Sequence, residues 1–324
     1  MGKRKLTSQQ KRRVNDLHAK RIRASIDDAS LGTQQEGLVV ARHGATVEVE
    51  DDNQKIYLCN IRQNIYDLVP GDRVIWRPAE NNTGVVVAQL PRATVLNRPD
   101  FHGHPKPIAA NVTQMIIMFA PKPEPSADLI NKYLVAAELL QIQPLLVLNK
   151  IDLLTKQNPI HQWLDIYNAL NYQVISTSKL ETNSIPPLQN HLKNQTSIVL
   201  GQSGVGKSSI VKQLLPENDI KVGEISQATG FGKHTTSTAR LYHIPSGGDL
   251  IDSPGVRNFT LWHITPQELL AGFIECKSII GQCKFRDCRH QHEPGCAVKQ
   301  LLDNKEISPM RYQSLLHVME TLAS

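Results

Sequence analysis

Between residues 36 and 90, short runs rich in β-branched and other apolar residues are separated by turn residues such as Asp51-Asp52-Asn53. Runs of this length and composition, bounded by turn residues, are typical of β-strands. The predicted strands cover residues 38–40, 45–49, 55–58, 73–76 and 85–87. Five short strands in this length predict a small barrel of the OB type, a fold that often binds nucleic acid but does not by itself define a function.

From residue 93 onward, longer apolar runs alternate with stretches that resemble helices. The strand-like runs are at 115–120, 145–148 and 197–200, and the helix-like stretches are at 127–141 and 207–215. This alternation predicts an α/β domain with a mostly parallel sheet covered by helices. Further helical stretches lie near the end of the chain, at 297–303 and 308–322.

The length of 324 residues predicts more than one domain, and 40% apolar with 20% charged residues is a globular composition. We expect four segments: a basic mobile arm (1–35), the OB-type barrel (36–92), the α/β domain (93–270) and a helical C-terminal module (271–324). The apolar runs are too short to cross a membrane, and the residues after Met1 do not resemble a signal peptide. We therefore expect neither secretion nor a membrane partner.

Positive charge is concentrated at the start of the chain. Residues 1–23 contain nine lysines and arginines against the single acid Asp16, so their net charge of +8 exceeds the +6 of the whole chain. Little apolar content and no amphipathic period predict a mobile arm. The arm is expected to bind nucleic acid, and the alternative is a solvated tail that aids solubility.

A phosphate-binding loop is predicted at residues 201–208, where Gly-Gln-Ser-Gly-Val-Gly-Lys-Ser fits G-x-x-x-x-G-K-[ST]. The motif follows an apolar strand-like run and precedes a helical stretch, which is the context it requires. Glycines allow backbone N–H groups to surround phosphate oxygens at a helix N-terminus. Lys207 is expected to place its charge on the β- and γ-phosphates, and Ser208 to bind Mg²⁺.

Asn149-Lys150-Ile151-Asp152 follows a predicted strand and looks like the guanine-reading motif of GTPases. The Asp152 carboxylate can accept hydrogen bonds from guanine N1–H and the 2-amino group, and adenine offers no such pair of donors. A weaker match to the second guanine loop is Ser176-Thr177-Ser178-Lys179, whose third residue is serine where alanine is usual.

Two further motifs complete the predicted nucleotide site. Asp252-Ser253-Pro254-Gly255 fits D-x-x-G, in which Asp252 holds Mg²⁺ through water and the Gly255 amide contacts the γ-phosphate. Thr235 and Thr236 are both candidates for the switch threonine that binds Mg²⁺, and the sequence does not choose between them. The predicted GTP contacts in the phosphate loop are Gly201, Gln202, Ser203, Gly204, Val205, Gly206, Lys207, Ser208 and Ser209.

The order of these motifs is unusual. The guanine loops come first, and the phosphate loop, the switch threonine and D-x-x-G follow, whereas conventional GTPases have the guanine loops last. The domain is therefore predicted to be circularly permuted, which a fold tolerates when its original termini lie close together at the surface.

Cys283, Cys288, His290 and Cys296 supply three thiolates and one imidazole within a short stretch. This Cys₃His composition predicts one structural zinc ion per chain, since a catalytic zinc normally keeps one coordination position open. His292 is the alternative ligand if His290 is wrong. Cys59 and Cys276 have no such neighbours and are expected to be buried apolar residues.

Together, the barrel, the permuted motifs (149–152, 201–209, 232–236 and 252–257) and the Cys₃His segment (283–296) resemble one family, the ribosome small subunit-dependent GTPase A of bacteria. The resemblance implies a cytoplasmic GTPase, with bound Mg²⁺, that contacts rRNA and acts in late maturation of the small ribosomal subunit, which stimulates hydrolysis. We also expect a monomer that binds GTP and GDP.

The resemblance also implies a catalytic role for His234, in addition to the catalytic role that the phosphate-loop motif predicts for Lys207. Val256 follows the D-x-x-G motif where many GTPases carry the glutamine that orients the attacking water, and valine has no polar group for this task. Two other hypotheses remain at this point. GTP could be only a latch for RNA docking, or the chain could be an ATP-dependent small-molecule kinase, which the guanine motif and the basic arm disfavour.

Overall fold

A computed structural model describes residues 31–63, 65–100, 103–215, 239–252 and 264–323. The chain divides between Arg92 and Ala93 into two compact units. None of the helices in these ranges combines the length and the apolar character that a membrane crossing needs.

The first unit is a five-stranded barrel. Its strands are β1 (Gln35–His43), β2 (Thr46–Glu50), β3 (Ile56–Ile61), β4 (Arg73–Ala79) and β5 (Thr83–Gln89). Their order is β1-β2-β3-β5-β4, and pairing of β1 with β4 closes the barrel. All pairs are antiparallel except β3 with β5. The predicted OB-type barrel is confirmed.

The barrel core is built largely from alternate residues of these strands, because successive side chains of a strand point to opposite faces of the sheet. Trp76 is fully buried, and its indole N–H donates a hydrogen bond to the carbonyl of Glu36 at 3.1 Å. Gly37 lies against this ring, and a Cβ on Gly37 would be 2.6 Å from the indole nitrogen. The other buried residues of this core include Val39, Val47, Val49, Cys59, Val74 and Val86.

The second unit contains an α/β sheet and a separate hairpin. The hairpin strands are β6 (Val95–Pro99) and β7 (Pro105–Ala110), and the sheet strands are β8 (Gln114–Phe119), β9 (Gln143–Asn149), β10 (Gln173–Thr177), β11 (Thr196–Gly201), β12 (Arg240–His243) and β13 (Asp249–Asp252). Within this unit the sheet order is β10-β9-β8-β11-β13-β12. Only β12 runs antiparallel to its neighbour β13.

In the described part of this unit, the α-helices are α1 (Ala127–Leu140), α2 (Ile160–Ala169), α3 (Ile185–Leu192), α4 (Lys207–Leu214), α5 (Pro266–Gly272), α6 (Ala297–Asp303) and α7 (Pro309–Ala323). All six residues of β8 are buried, as expected for a strand covered on both faces. Ile116 and Met118 of this strand belong to one core with residues of α3 and α4. The parallel sheet covered by helices is therefore confirmed.

The C-terminal helices share a core with α1. Leu269, Phe273, Leu301 and Leu315 form one buried cluster with Val135 of α1. A Cβ on Gly272 would lie 2.4 Å from a methyl carbon of Val135, so α5 and α1 approach closely at a glycine. The helices after residue 270 belong to the same compact unit as the sheet, and the predicted division at 270 stays a prediction.

A buried polar network also joins α1 to α7. Arg311 is fully buried, and its guanidinium donates two hydrogen bonds to the Glu275 carboxylate, at 2.7 and 2.8 Å. A third donor of Arg311 bonds to the Asn131 side-chain oxygen at 3.0 Å. Burying this charge is tolerated because the guanidinium is paired and hydrogen-bonded.

Candidate functional site

Four of the predicted motifs meet at one edge of the parallel sheet. Asn149 ends β9, Thr177 ends β10, Gly201 ends β11 and Asp252 ends β13. Because these strands are parallel, their carboxyl ends lie on the same side, where ligands bind in open α/β sheets. The fold therefore brings the guanine loops and the phosphate loop together although they are far apart in the chain.

The phosphate loop uses backbone conformations that only glycine adopts easily. Gly201, Gly204 and Gly206 have φ angles of 138°, 83° and 100°. A Cβ on Gly201 would lie 2.2 Å from the carbonyl oxygen of Met118 in the neighbouring strand. Gly206 is the N-cap of α4, so the loop leads directly into a helix N-terminus, which favours anions.

Lys207 lies across this loop. Its ammonium donates hydrogen bonds to the carbonyl oxygens of Gly201 at 2.6 Å and Gln202 at 2.7 Å. Val205 is buried, while Ser203, Ser208 and Ser209 are exposed. The lysine charge is therefore held at the mouth of the loop, next to hydroxyls that are open to a ligand.

Asn149 connects the guanine motif to the phosphate loop. Its buried side chain donates to the carbonyl of Val205 at 2.9 Å and accepts from the Thr177 hydroxyl at 3.0 Å. A Cβ on Gly206 would be 2.2 Å from the Asn149 amide nitrogen. The side chains of Asn149 and Thr177 thus fix the three loops relative to one another.

Lys150 makes a second connection between the guanine motif and the phosphate loop. Its ammonium donates to the carbonyl of Gly204 at 2.7 Å and to that of Lys122 at 3.0 Å. Lys122 lies in the loop between β8 and α1, which matches no motif, so no sequence pattern predicts this contact.

Asp152 is exposed, and the hydroxyl of Ser178 donates to its carboxylate at 2.5 Å. Ser178 in turn accepts from the backbone N–H of Leu180 at 3.1 Å, which fixes the second guanine loop. Ser176 is exposed on β10, so Ser178 is the serine of this loop that contacts Asp152. The side chain of Leu180 is 77% exposed beside this pair and was not predicted as a site residue.

Asp252 is exposed at the end of β13. The other predicted switch residues, His234, Thr235, Thr236 and Gly255, lie outside the described residues.

The second candidate site is the Cys₃His cluster. The ligand atoms of Cys283, Cys288, His290 and Cys296 all lie within 4.8 Å of one another. The Nδ1 atom of His290 is 3.6 Å from the Cys283 sulfur and 3.3 Å from the Cys296 sulfur. A tetrahedral zinc with bonds of about 2.0–2.3 Å needs ligand separations of about 3.5–3.8 Å. His290 is in the cluster and His292 is exposed outside it.

The loop around the cluster is held by a carboxylate that sequence analysis did not single out. Glu293 accepts backbone hydrogen bonds from Arg289 at 2.9 Å, Gln291 at 3.0 Å and His292 at 3.1 Å. These donors, Arg289 first, lower the pKa of Glu293 to about 2. Gly295, with φ of 73°, makes the turn before Cys296.

Burial controls the protonation of the ligands. It raises the pKa of the Cys288 thiol to about 12, raises that of Cys296, and lowers that of His290, because each charged form loses contact with water. The His290 imidazole is therefore neutral at neutral pH and can bind a metal through a ring nitrogen. The Cys288 and Cys296 thiols lose their protons when an ion binds. Cys59 and Cys276, outside the cluster, are buried as predicted.

The chain resembles proteins of known type over its whole length. Residues 89–262 match the RsgA GTPase family. The small ribosomal subunit biogenesis GTPase RsgA of Pectobacterium carotovorum strain PC1 is 46% identical over 100% of this chain and 96% of its own length. That of Pseudomonas aeruginosa strain UCBPP-PA14 is 46% identical over 99% of this chain and 98% of its own length.

Two crystal structures share the fold. YjeQ from Thermotoga maritima is 33% identical, with a TM-score of 0.72 over 90% of this chain and 99% of that one. YloQ, a circularly permuted GTPase, is 27% identical, with a TM-score of 0.70 over 92% of this chain and 98% of that one. The family match covers more than half of the chain and the relatives cover nearly all of it, so this protein is a GTPase that belongs to the RsgA GTPase family.

Proposed function

We propose that this GTPase binds the small ribosomal subunit and its rRNA, acts in late maturation of that subunit, and hydrolyses GTP to GDP and phosphate at a rate that the subunit stimulates. The full-length match to proteins named small ribosomal subunit biogenesis GTPases carries this proposal. The OB-type barrel and the +8 charge of residues 1–23 support an RNA partner. We further propose that the protein acts in the cytoplasm, where such a partner is found, and that it acts as a monomer.

The predicted nucleotide contacts are proposed as follows. The backbone N–H groups of residues 201–209 surround the phosphates, and Lys207 neutralises charge on the β- and γ-phosphates. Ser208 and Asp252, with Thr235 or Thr236, hold Mg²⁺, which stabilises the developing negative charge when bound. Gly255 contacts the γ-phosphate. Asp152 recognises the base, with Ser176, Thr177 and Ser178 forming the second guanine loop.

Asp152→Asn is expected to weaken GTP binding by about 10²-fold or more, because the amide loses the carboxylate charge and places an N–H donor against the 2-amino donor of guanine. The same variant is expected to prefer xanthosine triphosphate, whose 2-oxo group accepts from the new amide. Competition binding of the two nucleotides measures both effects. Asp165→Asn, at an exposed aspartate of α2, is the control and should keep GTP preference. Unchanged GTP preference in Asp152→Asn contradicts the base-contact assignment.

We infer that the Cys₃His cluster binds one structural zinc ion, because four protein ligands whose atoms all lie within 4.8 Å of one another can complete a tetrahedral shell and leave no position for a substrate. Cys288 and Cys296 belong to the buried core that contains Val135 of α1, and the half-buried Cys283 packs against that core. The ion would therefore stabilise the C-terminal helices where they pack on the GTPase domain.

Cys288→Ser is expected to lose the bound zinc and to open the segment 281–295, while nucleotide binding persists. Elemental analysis reports the metal, and hydrogen exchange reports the opening of the segment. Cys276→Ala is the matched control, since Cys276 is a buried cysteine outside the cluster, and it should keep one zinc per chain. Full zinc content in Cys288→Ser is the result that rules out this ligand set.

Sedimentation with purified ribosomal subunits tests the proposed function. We expect binding to the small subunit that is about tenfold or more tighter with a non-hydrolysable GTP analogue than with GDP, and that weakens steeply with salt. The large subunit is the control. Equal binding to both subunits, or none to either in the GTP-analogue state, would be incompatible with the proposal.

A further inference from the structure

An apolar and acidic surface lies at one end of the barrel. It consists of Ile56 and Leu58, which are 40% and 46% exposed on the same side of β3, together with the exposed Asp52 and Glu80, and we call it the end patch. Its parts adjoin because β3 and β5 are parallel neighbours: Leu58 donates to the carbonyl of Asn82 at 3.0 Å, in the turn that carries Glu80. Asp52 lies in the turn that leads into Ile56.

The charge of the end patch is negative. Within the described part of the chain, neither Asp52 nor Glu80 has an ion-pair partner. The nearby Lys55 lies over the Tyr57 ring, 4.9 Å from its centroid. Exposed carboxylates repel phosphates, so this surface suits a basic partner with apolar side chains better than it suits RNA.

The basic arm joins the barrel close to this patch. The N–H of Gly32 donates to the carbonyl of Pro78 at 2.8 Å, and Arg77 donates to the carbonyls of Leu31 at 2.9 Å and Gly32 at 2.8 Å. This anchor lies on β4, which is two strands from β3 in the order β4-β5-β3, or about 10 Å. Residues 24–30 can extend over about 23 Å, which is enough to bring Arg23 to the patch.

The composition of residues 1–30 complements the end patch. They contain nine lysines and arginines against Asp16, Asp27 and Asp28, a net charge of +6. They also contain isolated aliphatic residues that can cover Ile56 and Leu58: Leu6, Val14, Leu17, Ile22 and Ile26. We propose that the end patch is a docking surface for the chain's own residues 1–30.

Docking of this kind is expected to be weak and to compete with the binding of RNA. Contacts between exposed charges are individually weak and are screened over about 10 Å at moderate salt, so docking is reversible and salt-sensitive. Under the proposed function, the same cations bind RNA phosphates. The arm therefore exchanges between its own barrel and RNA.

Limited trypsin digestion of the full chain tests the docking. Asp52→Lys combined with Glu80→Lys is expected to speed cleavage within residues 1–30 by about three- to tenfold at low ionic strength, because the arm is released. The control, Glu124→Lys with Asp165→Lys, makes the same charge change at exposed residues of the second unit and should match the wild type. High salt should raise the wild-type rate to that of the patch variant. Equal rates in all three proteins at low ionic strength overturn the proposal, and unchanged GTP binding verifies folding.

Carbodiimide cross-linking of an equal mixture of isotope-labelled and unlabelled protein identifies the occupant. Cross-links from arm lysines to Asp52 or Glu80 within single isotopic species support the proposal. Cross-links between labelled and unlabelled chains assign the patch to the arm of a second copy and overturn it. If no arm cross-links form but the patch variant weakens subunit binding, the patch belongs to a ribosomal partner, which also overturns it.

Discussion

Lys207→Ala is expected to lower the rate of GTP hydrolysis by at least about 10²-fold without unfolding the protein. The Lys207 ammonium is held at the loop mouth by the carbonyls of Gly201 and Gln202, and it is the only cation that the phosphate-loop motif itself supplies. Charge that develops on the transferred phosphate would lose this preorganised partner. Single-turnover hydrolysis measures the loss, and thermal unfolding monitors the fold.

Lys212→Ala is the matched control, because Lys212 is exposed on the same helix, α4, one turn further on. It should hydrolyse GTP at the wild-type rate. If Lys207→Ala and Lys212→Ala have the same rate, Lys207 does not act on the phosphates. A lowered melting temperature only in Lys207→Ala would instead indicate a structural role.

Small ribosomal subunits are expected to raise the hydrolysis rate by about 10³–10⁵-fold, and His234→Ala to lose most of this stimulation while still binding subunits. Val256 cannot orient the attacking water, so the free enzyme lacks one catalytic group and should be slow. We propose that His234 supplies that group once the subunit is bound. Single-turnover rates with and without subunits, combined with sedimentation, separate binding from chemistry.

His161→Ala, at an exposed histidine of α2, is the control and should be stimulated like the wild type. If His234→Ala is also stimulated like the wild type, His234 has no part in the mechanism. If the wild-type protein binds subunits but its GTP hydrolysis is not stimulated by them, the role of GTP is to control docking to the subunit, and GTP hydrolysis is incidental.

Local sequence patterns were sufficient for the barrel strands and the motifs, but they did not single out the helices α2, α3 and α5 or the hairpin of β6 and β7. Short β-rich runs between turn residues predicted the barrel strands, and the phosphate loop was recognisable because its glycines are required by backbone angles that are local to the loop. The Cys₃His ligands were recognisable because a metal selects residue types at short spacing. For these features, the residues that determine the local structure lie within a few positions of one another in the sequence.

Contacts between distant segments could not be predicted in the same way. Lys150 bonds to the carbonyl of Lys122, and any residue could supply that carbonyl. Ser178, and not Ser176, meets Asp152 because of how the loops after β9 and β10 lie side by side. The shared core of α1 and the C-terminal helices likewise depends on packing, which a helical pattern does not specify.

The strand order has a consequence for synthesis of the protein on the ribosome. β8 lies between β9, which is the next strand along the chain, and β11. The last residue of β11, Gly201, comes 82 positions after Phe119, the last residue of β8. At about 5–20 residues per second, translation of that interval takes about 4–16 s. Until then, one edge of a strand whose six residues are all buried in the folded protein has no partner and can pair with any other strand that it meets. Because of the permuted order, the segment that carries Asn149 is synthesised before the segment that carries the phosphate loop, and its sheet stays incomplete until the second segment has been made. A pause in translation before β11 would lengthen the period in which the chain can aggregate.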